Sequence, residues 1–158
     1  MATTIGFLGA GHLGSAIISG MLADGANGFS AKHIHATCKS AASAAYLKQA
    51  HGINAHTDNR KLVADSDYII LGVKPVQMKA VLDELADCNL DDKIIITLAA
   101  GIRIEHYRRI LGDDAIIIRA MPNVAASRQA SLTGIYSDDD LDPSEEDLIN
   151  AVFTAIGE

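Results

Sequence analysis

Gly9-Ala10-Gly11-His12-Leu13-Gly14 is the run whose residue types and spacing most directly suggest chemistry. It follows an apolar stretch, Thr4 to Leu8, and precedes a stretch of helical period, His12 to Leu22. The unit closes on a second apolar run, Ile34 to Thr37, about thirty residues from its start. In that setting each glycine has a task. Gly9 permits a tight turn, Gly11 lets a pyrophosphate approach the backbone, and Gly14 lets helix and strand pack closely. The free N–H groups and the positive helix end at His12 and Leu13 then face the phosphates of a dinucleotide. Two readings stand for His12 itself: a ring against the ligand, or a solvent-facing residue at the start of a helix.

The end of the second apolar run selects among dinucleotides. A site for NAD commonly places Asp or Glu there, to bind the ribose hydroxyls. This sequence has Thr37-Cys38-Lys39-Ser40, and no acid between Asp24 and Asp58. A cation among hydroxyls suits an added 2′-phosphate, so NADP is favoured, with NAD the other possibility. Three further segments end apolar runs: Gly72-Val73-Lys74-Pro75, Leu98-Ala99-Ala100-Gly101 and Met121-Pro122-Asn123. Ligands of open parallel sheets lie beyond the carboxyl ends of the strands. Lys74, able to reach the cofactor or a substrate charge, and Asn123, after the rigid Pro122, are the candidate catalytic residues. Lys39, Ser40 and Lys74 also read as ordinary solvated loop residues.

The elements that must position these segments follow from periodicity. Thr4–Leu8, Ile34–Thr37, Tyr68–Val73, Lys93–Leu98 and Ala115–Ala120 read as strands, and Leu132–Tyr136 as a sixth. Their apolar runs are continuous rather than alternating, as expected when helices cover both faces of a parallel sheet. Helices are predicted over His12–Leu22, Ala42–Ala50, Pro75 to about Ala86, Ile104–Leu111 and from Asp142 onward. The last has Asp142 as N-cap, Pro143 at the first position and Glu145 at the third. Its stripe of Leu148, Ile149, Val152, Phe153 and Ile156 packs on the sheet, with part of it an alternative oligomer contact. The fold class is α/β, a doubly wound, mostly parallel, Rossmann-like sheet in one domain over residues 1–158.

Composition narrows the function classes. With 158 residues and 49% hydrophobic content, the chain is a globular domain and not a disordered one. Two cysteines, Cys38 and Cys88, cannot build a disulfide scaffold, and no apolar run reaches the ~20 residues of a membrane span. No basic n-region precedes the first strand, so the expected location is the cytoplasm, with no membrane partner. The net charge of −7 is uneven: residues 138–158 hold eight acids and no base. No basic, aromatic-rich patch suggests nucleic acid. The six histidines do not fall into a metal-ligand spacing; His33 and His35 alternate along a strand edge, and His51 and His56 flank a loop. No metal is expected. Cys38 reads as a small strand-end residue rather than a nucleophile.

IGFLGAGHLGSAI, LGVKP, LAAGI and IIIRAMPN, in this order and spacing, resemble pyrroline-5-carboxylate reductase over essentially the whole chain. The resemblance implies NADPH-dependent reduction of the cyclic imine 1-pyrroline-5-carboxylate to L-proline. It implies that Leu8 to Leu13 hold the pyrophosphate, Thr37 to Ser40 the adenosine phosphate, and Gly72 to Pro75 with Leu98 to Gly101 the ribose and nicotinamide. Asn59 matches an asparagine on the adenosine side. The pattern departs after Asn123: Val124-Ala125 replace the family's Thr-Pro, and Arg128-Gln129-Ala130-Ser131 replace a small glycine-containing segment. The family's second domain is helical, makes a homo-oligomer and grips the substrate carboxylate, and this chain stops about where that domain would begin. The chain alone is therefore expected to bind the cofactor without turnover. Two rival readings are another NADP-linked reductase, of the hydroxyisobutyrate, phosphogluconate or deazaflavin-dependent kind, and a non-catalytic NADP-binding module.

Overall fold

The computed structural model describes residues 3–23 and 28–158. Seven strands form one sheet: β1 (Ile5–Leu8), β2 (Ile34–Thr37), β3 (Asn54–His56), β4 (Tyr68–Leu71), β5 (Ile94–Thr97), β6 (Ile116–Met121) and β7 (Gly134–Ser137). Their order is β3-β2-β1-β4-β5-β6-β7. All neighbours pair in parallel except β7, which runs antiparallel to β6. Among the described residues six α-helices, α1 (His12–Leu22), α2 (Ala41–His51), α3 (Asn59–Ala64), α4 (Pro75–Leu85), α5 (Ile104–Leu111) and α6 (Pro143–Thr154), connect and cover them. The doubly wound class is as expected.

β1, β2, β4 and β5 bury both faces, which is why their sequences are apolar almost throughout. One core lies between the sheet and α1, α2 and α6, around Phe7, Ile17, Ile18, Met21 and Phe153. The second lies under α3, α4 and α5, around Leu62, Ile69, Leu82, Ile95 and Tyr107. Fully burying a side chain such as Ile17 or Ile18, both 0% exposed, contributes about 1.5–3 kcal/mol. Gly20 lets α1 meet the end of α6, because a Cβ there would stand 2.3 Å from the Ala155 carbonyl oxygen. At the start of α6 the Asp142 carboxylate accepts from Ser144 and Glu145 N–H, while Glu145 Oε2 accepts from Asp142 N–H at 2.8 Å. Ile149, Val152, Phe153 and Ile156 are buried in the core, and Leu148 of the same stripe is half-buried.

Two expectations need correcting. β3 and α3 replace the loop expected around His56, and β2 is an interior strand rather than an edge. The acidic turn after β7 is only partly solvated. Asp139 is half-buried, takes Arg108 Nη2 at 2.6 Å, and accepts Ile117 N–H at 3.0 Å. Five of the seven large exposed apolar side chains among the described residues, Met121, Val124, Leu132, Ile135 and Tyr136, fall on β6, β7 and the segment between them. Among the described residues, no helix is long and apolar enough to cross a membrane.

Candidate functional site

Leu8, Thr37, Leu71, Thr97 and Arg119 lie in one register row across five parallel strands. The loops that leave this row therefore share one rim of the sheet, and they contain every candidate segment. The chain winds outward from β1 to β3, then returns to the other side of β1 at β4. That switch point is where such sheets open a crevice for ligands.

At the switch point two turns touch. Gly72 N–H donates to Leu8 O at 2.9 Å, and a Cβ on Gly72 would meet Gly9 O at 2.8 Å. Gly9 is left-handed, with φ +80°, and its Cβ would stand 2.4 Å from Val73 Cγ1. Ala10 N–H donates to Thr37 O at 3.0 Å, and Ser15 N–H to Gly11 O at 2.8 Å. α1 then begins with no side-chain cap and no acid in its first turn. A Cβ on Gly11 would meet nothing within 4 Å, so the approach to that helix end is open. Gly14 departs from its assigned task. Its Cβ would make ordinary contacts of 3.5 Å with Ala10 and 3.7 Å with Phe7, so close packing there does not demand glycine. His12 is exposed and Leu13 half-buried.

Beyond β2, the four predicted residues divide by role. Thr37 is 2% exposed, and its Oγ1 accepts Gly9 N–H at 3.3 Å, so its hydroxyl positions the glycine turn instead of facing a ligand. Cys38 donates its N–H to His56 O, and burial pushes its thiol up, away from the reactive thiolate. Lys39 and Ser40 are exposed. Ser40 caps α2, accepting Ser43 N–H at 3.2 Å. Asn59 opens α3, and its amide donates to Glu84 Oε2 at 2.9 Å; it is engaged in an α3–α4 link rather than held out toward an adenosine.

On the other side, Val73 is half-buried against Gly9, Lys74 is exposed, and Pro75 starts α4. Ala99 is 4% exposed and Ala100 and Gly101 line the rim, Gly101 at φ +77°. Met121 is exposed and Pro122 half-buried. Asn123 has a structural task the sequence reading missed. Its Oδ1 accepts Ala125 N–H at 2.9 Å, capping a short 3-10 turn over Val124–Arg128. Lys74 and Asn123 follow β4 and β6, with β5 between those strands.

Thr97, Tyr107 and Ser131 were not anticipated. Thr97 Oγ1 and Tyr107 Oη share a buried hydrogen bond of 2.6 Å, and Thr97 Oγ1 accepts Ala99 N–H at 3.3 Å. Burial is the chief cause that keeps the Tyr107 phenol protonated to unusually high pH. Ser131 Oγ accepts Asn123 N–H at 3.0 Å. The available signal was a hydroxyl closing an apolar strand, at Thr37 and again at Thr97. A cavity of about 550 Å³ lies along α5, lined by Ile102, Arg103, Glu105, His106 and Arg109, and shares only Gly101 with the crevice. The crevice itself is an open rim of main-chain groups, suited to an extended ligand more than to a compact one.

Residues 4–101 match the family described as NADP oxidoreductase, coenzyme F420-dependent. The chain is similar to pyrroline-5-carboxylate reductase of Methanosarcina acetivorans, 32% identical over 97% of this chain and 56% of that protein. Among solved structures it is similar to a pyrroline-5-carboxylate reductase from Coxiella burnetii, with a TM-score of 0.90 and 31% identity, over 99% of this chain and 57% of that one. The fold is also that of the Plasmodium falciparum pyrroline carboxylate reductase solved with NADP bound, TM-score 0.82 and 23% identity over 98% of this chain and 55% of that one. The chain thus spans just over half the length of these relatives.

Proposed function

The chain belongs to the family of NADP oxidoreductases described as coenzyme F420-dependent, and from that premise we propose that it binds NADPH for the reduction of 1-pyrroline-5-carboxylate to L-proline. The observation that carries the cofactor reading is the open, uncapped start of α1 at Gly11, where unpaired N–H groups and the helix dipole suit a pyrophosphate. Exposed Lys39, with no acid nearby in sequence, supports NADPH over NADH. The substrate comes from the relatives' names and from the LGVKP, LAAGI and RAMPN segments, which favour the imine over the rival reductases.

When bound, NADPH supplies the hydride. The chain's own part is to bind and orient: Leu8 to Leu13 hold the pyrophosphate, Lys39 and Ser40 the 2′-phosphate, and Gly72 to Pro75 with Ala99 to Gly101 the ribose and ring. Met121 to Asn123 form the far wall. A protonated imine is already electrophilic, so orientation supplies much of the rate. By the same resemblance the whole enzyme is a cytoplasmic homo-oligomer acting on a small cyclic imino acid.

Calorimetric titration with NADPH and NADH tests the reading. NADPH is expected to bind about tenfold or more tightly than NADH, the worth of one charge-assisted phosphate contact, and Lys39→Glu is expected to abolish the difference. Equal affinity of the unaltered chain for both cofactors would overturn the assignment.

A further inference from the structure

Four polar side chains are buried in the described fold, Thr37, Ser66, Thr97 and Ser131, each 2% exposed or less. Ser66 lies at the opposite end of the sheet, just before β4, and its Oγ has no hydrogen-bond partner. The other three stand behind three of the turns that line the crevice. Thr37 Oγ1 accepts Gly9 N–H at 3.3 Å, Thr97 Oγ1 accepts Ala99 N–H at 3.3 Å, and Ser131 Oγ accepts Asn123 N–H at 3.0 Å. We propose that Thr37, Thr97 and Ser131 are the positioning residues of the crevice, three buried hydroxyls that hold its turns in the ligand-ready shape. The proposal rests on the cofactor reading above for what the turns receive, but not for the hydrogen bonds themselves.

Loops at the rim of a sheet have no ladder to fix them. A turn ordered in advance removes entropy that a ligand would otherwise have to offset on binding. A hydroxyl buried behind the turn can do this without occupying ligand space. Ser131 extends the device further. Its N–H donates to Ile156 O at 2.8 Å, and its carbonyl accepts Glu158 N–H at 2.7 Å. Gly157 fits between only because it lacks a side chain, since a Cβ there would stand 2.0 Å from Ser131 O. Ser131 thereby ties the Asn123 turn to the end of α6.

The test uses the full chain with Thr37→Val, Thr97→Val and Ser131→Ala, and reads amide hydrogen exchange at Gly9, Ala99 and Asn123. Each change is expected to speed exchange at its own amide by roughly fivefold or more, the worth of one neutral hydrogen bond. Thr37→Ser and Thr97→Ser, which keep the hydroxyl, are expected to restore protection. Gly157→Ala is expected to mimic Ser131→Ala at Asn123, although residue 157 lies outside the crevice. Binding of NADPH and of 2′,5′-ADP, which lacks the nicotinamide half, gives the functional readout. Thr37→Val is expected to weaken both; Thr97→Val and Ser131→Ala are expected to weaken NADPH alone. Equal weakening of both ligands by Ser131→Ala would overturn positioning in favour of general destabilisation. Unchanged exchange at the three amides would overturn the proposal outright. If the unaltered chain binds neither nucleotide, the cofactor reading fails, and exchange alone decides whether the hydroxyls hold the turns.

Discussion

The three glycines of the phosphate turn are expected to answer alanine substitution in three different ways. At Gly9, φ of +80° puts an added side chain in the left-handed region, which costs about 1–2 kcal/mol. The new methyl would also stand 2.4 Å from Val73 Cγ1 and 3.2 Å from Val73 N, and overpacking of this kind costs about 1–3 kcal/mol. Gly9→Ala should therefore lose about 2–5 kcal/mol, a fall in Tm of about 5–15 °C for a chain of this size. At Gly11, nothing lies within 4 Å of the Cβ position and φ is −81°. Its substitution should leave stability within about 0.5 kcal/mol, yet weaken NADPH about tenfold or more, since the methyl takes the space open to the pyrophosphate. At Gly14, contacts of 3.5–3.8 Å leave room for alanine. That change should gain up to about 1 kcal/mol of helix stability with little effect on binding. Urea unfolding followed by circular dichroism, with calorimetric titration of each variant, separates the three. A Gly11→Ala chain that binds NADPH as the unaltered chain does would refute the placing of the pyrophosphate. A Gly14→Ala chain destabilised as much as Gly9→Ala would refute the packing argument.

Two further outcomes follow from packing and charge. Gly20→Ala should lose about 1–2 kcal/mol net, because its Cβ would meet the Ala155 carbonyl oxygen at 2.3 Å, and main chain cannot move aside as a side-chain end can; an unchanged urea midpoint would contradict this. His35 is held below its ordinary value of 6.5, first by burial and then by His56, Lys61 and His33, with Asp65 opposing. A depressed folded pKa means the unfolded chain takes up the proton first, so this contribution is complete above about pH 6.5 and is lost as pH falls through the folded value. The urea midpoint should therefore drop between pH 7.5 and pH 5, and His35→Gln should flatten that drop; an equal drop in both chains would show that His35 does not set it.

Much of the scaffold is legible because its strands announce themselves by composition. IGFL, YIIL and IIIT are buried on every residue or nearly so, and no other element type suits such short apolar runs between turn residues. β3 is not legible for the opposite reason. Asn-Ala-His is three residues long with one buried side chain, and it becomes a strand only because β2 offers its unpaired edge, setting His56 opposite Thr37. α3, at six residues, is likewise made by tertiary contact, capped by Asp58 and closed over Leu62 and Val63. In the crevice, the segments were readable but the side-chain tasks were not. Thr37 and Asn123 look like ligand contacts by type and place, and each turns out to spend its oxygen on a main-chain N–H, one of them 28 residues away in sequence. Spacing along a chain cannot reveal a partner that only the fold brings near.

That division of labour bears on the chemistry. The crevice presents main-chain turns, small side chains and two exposed lysines, Lys39 and Lys74, while the hydroxyls of Thr37, Thr97 and Ser131 face inward. Lys74 follows β4 and Asn123 follows β6, two strands apart in the sheet. In the proposed reaction, a hydride acceptor that arrives already protonated and electrophilic would ask little else of this crevice than a fixed ring and a shaped rim. Precision in such a site depends on how firmly the turns are held, because a displacement on the order of 1 Å can cost about a hundredfold in rate. The residues that decide the rate would then be those behind the crevice, as much as those that line it.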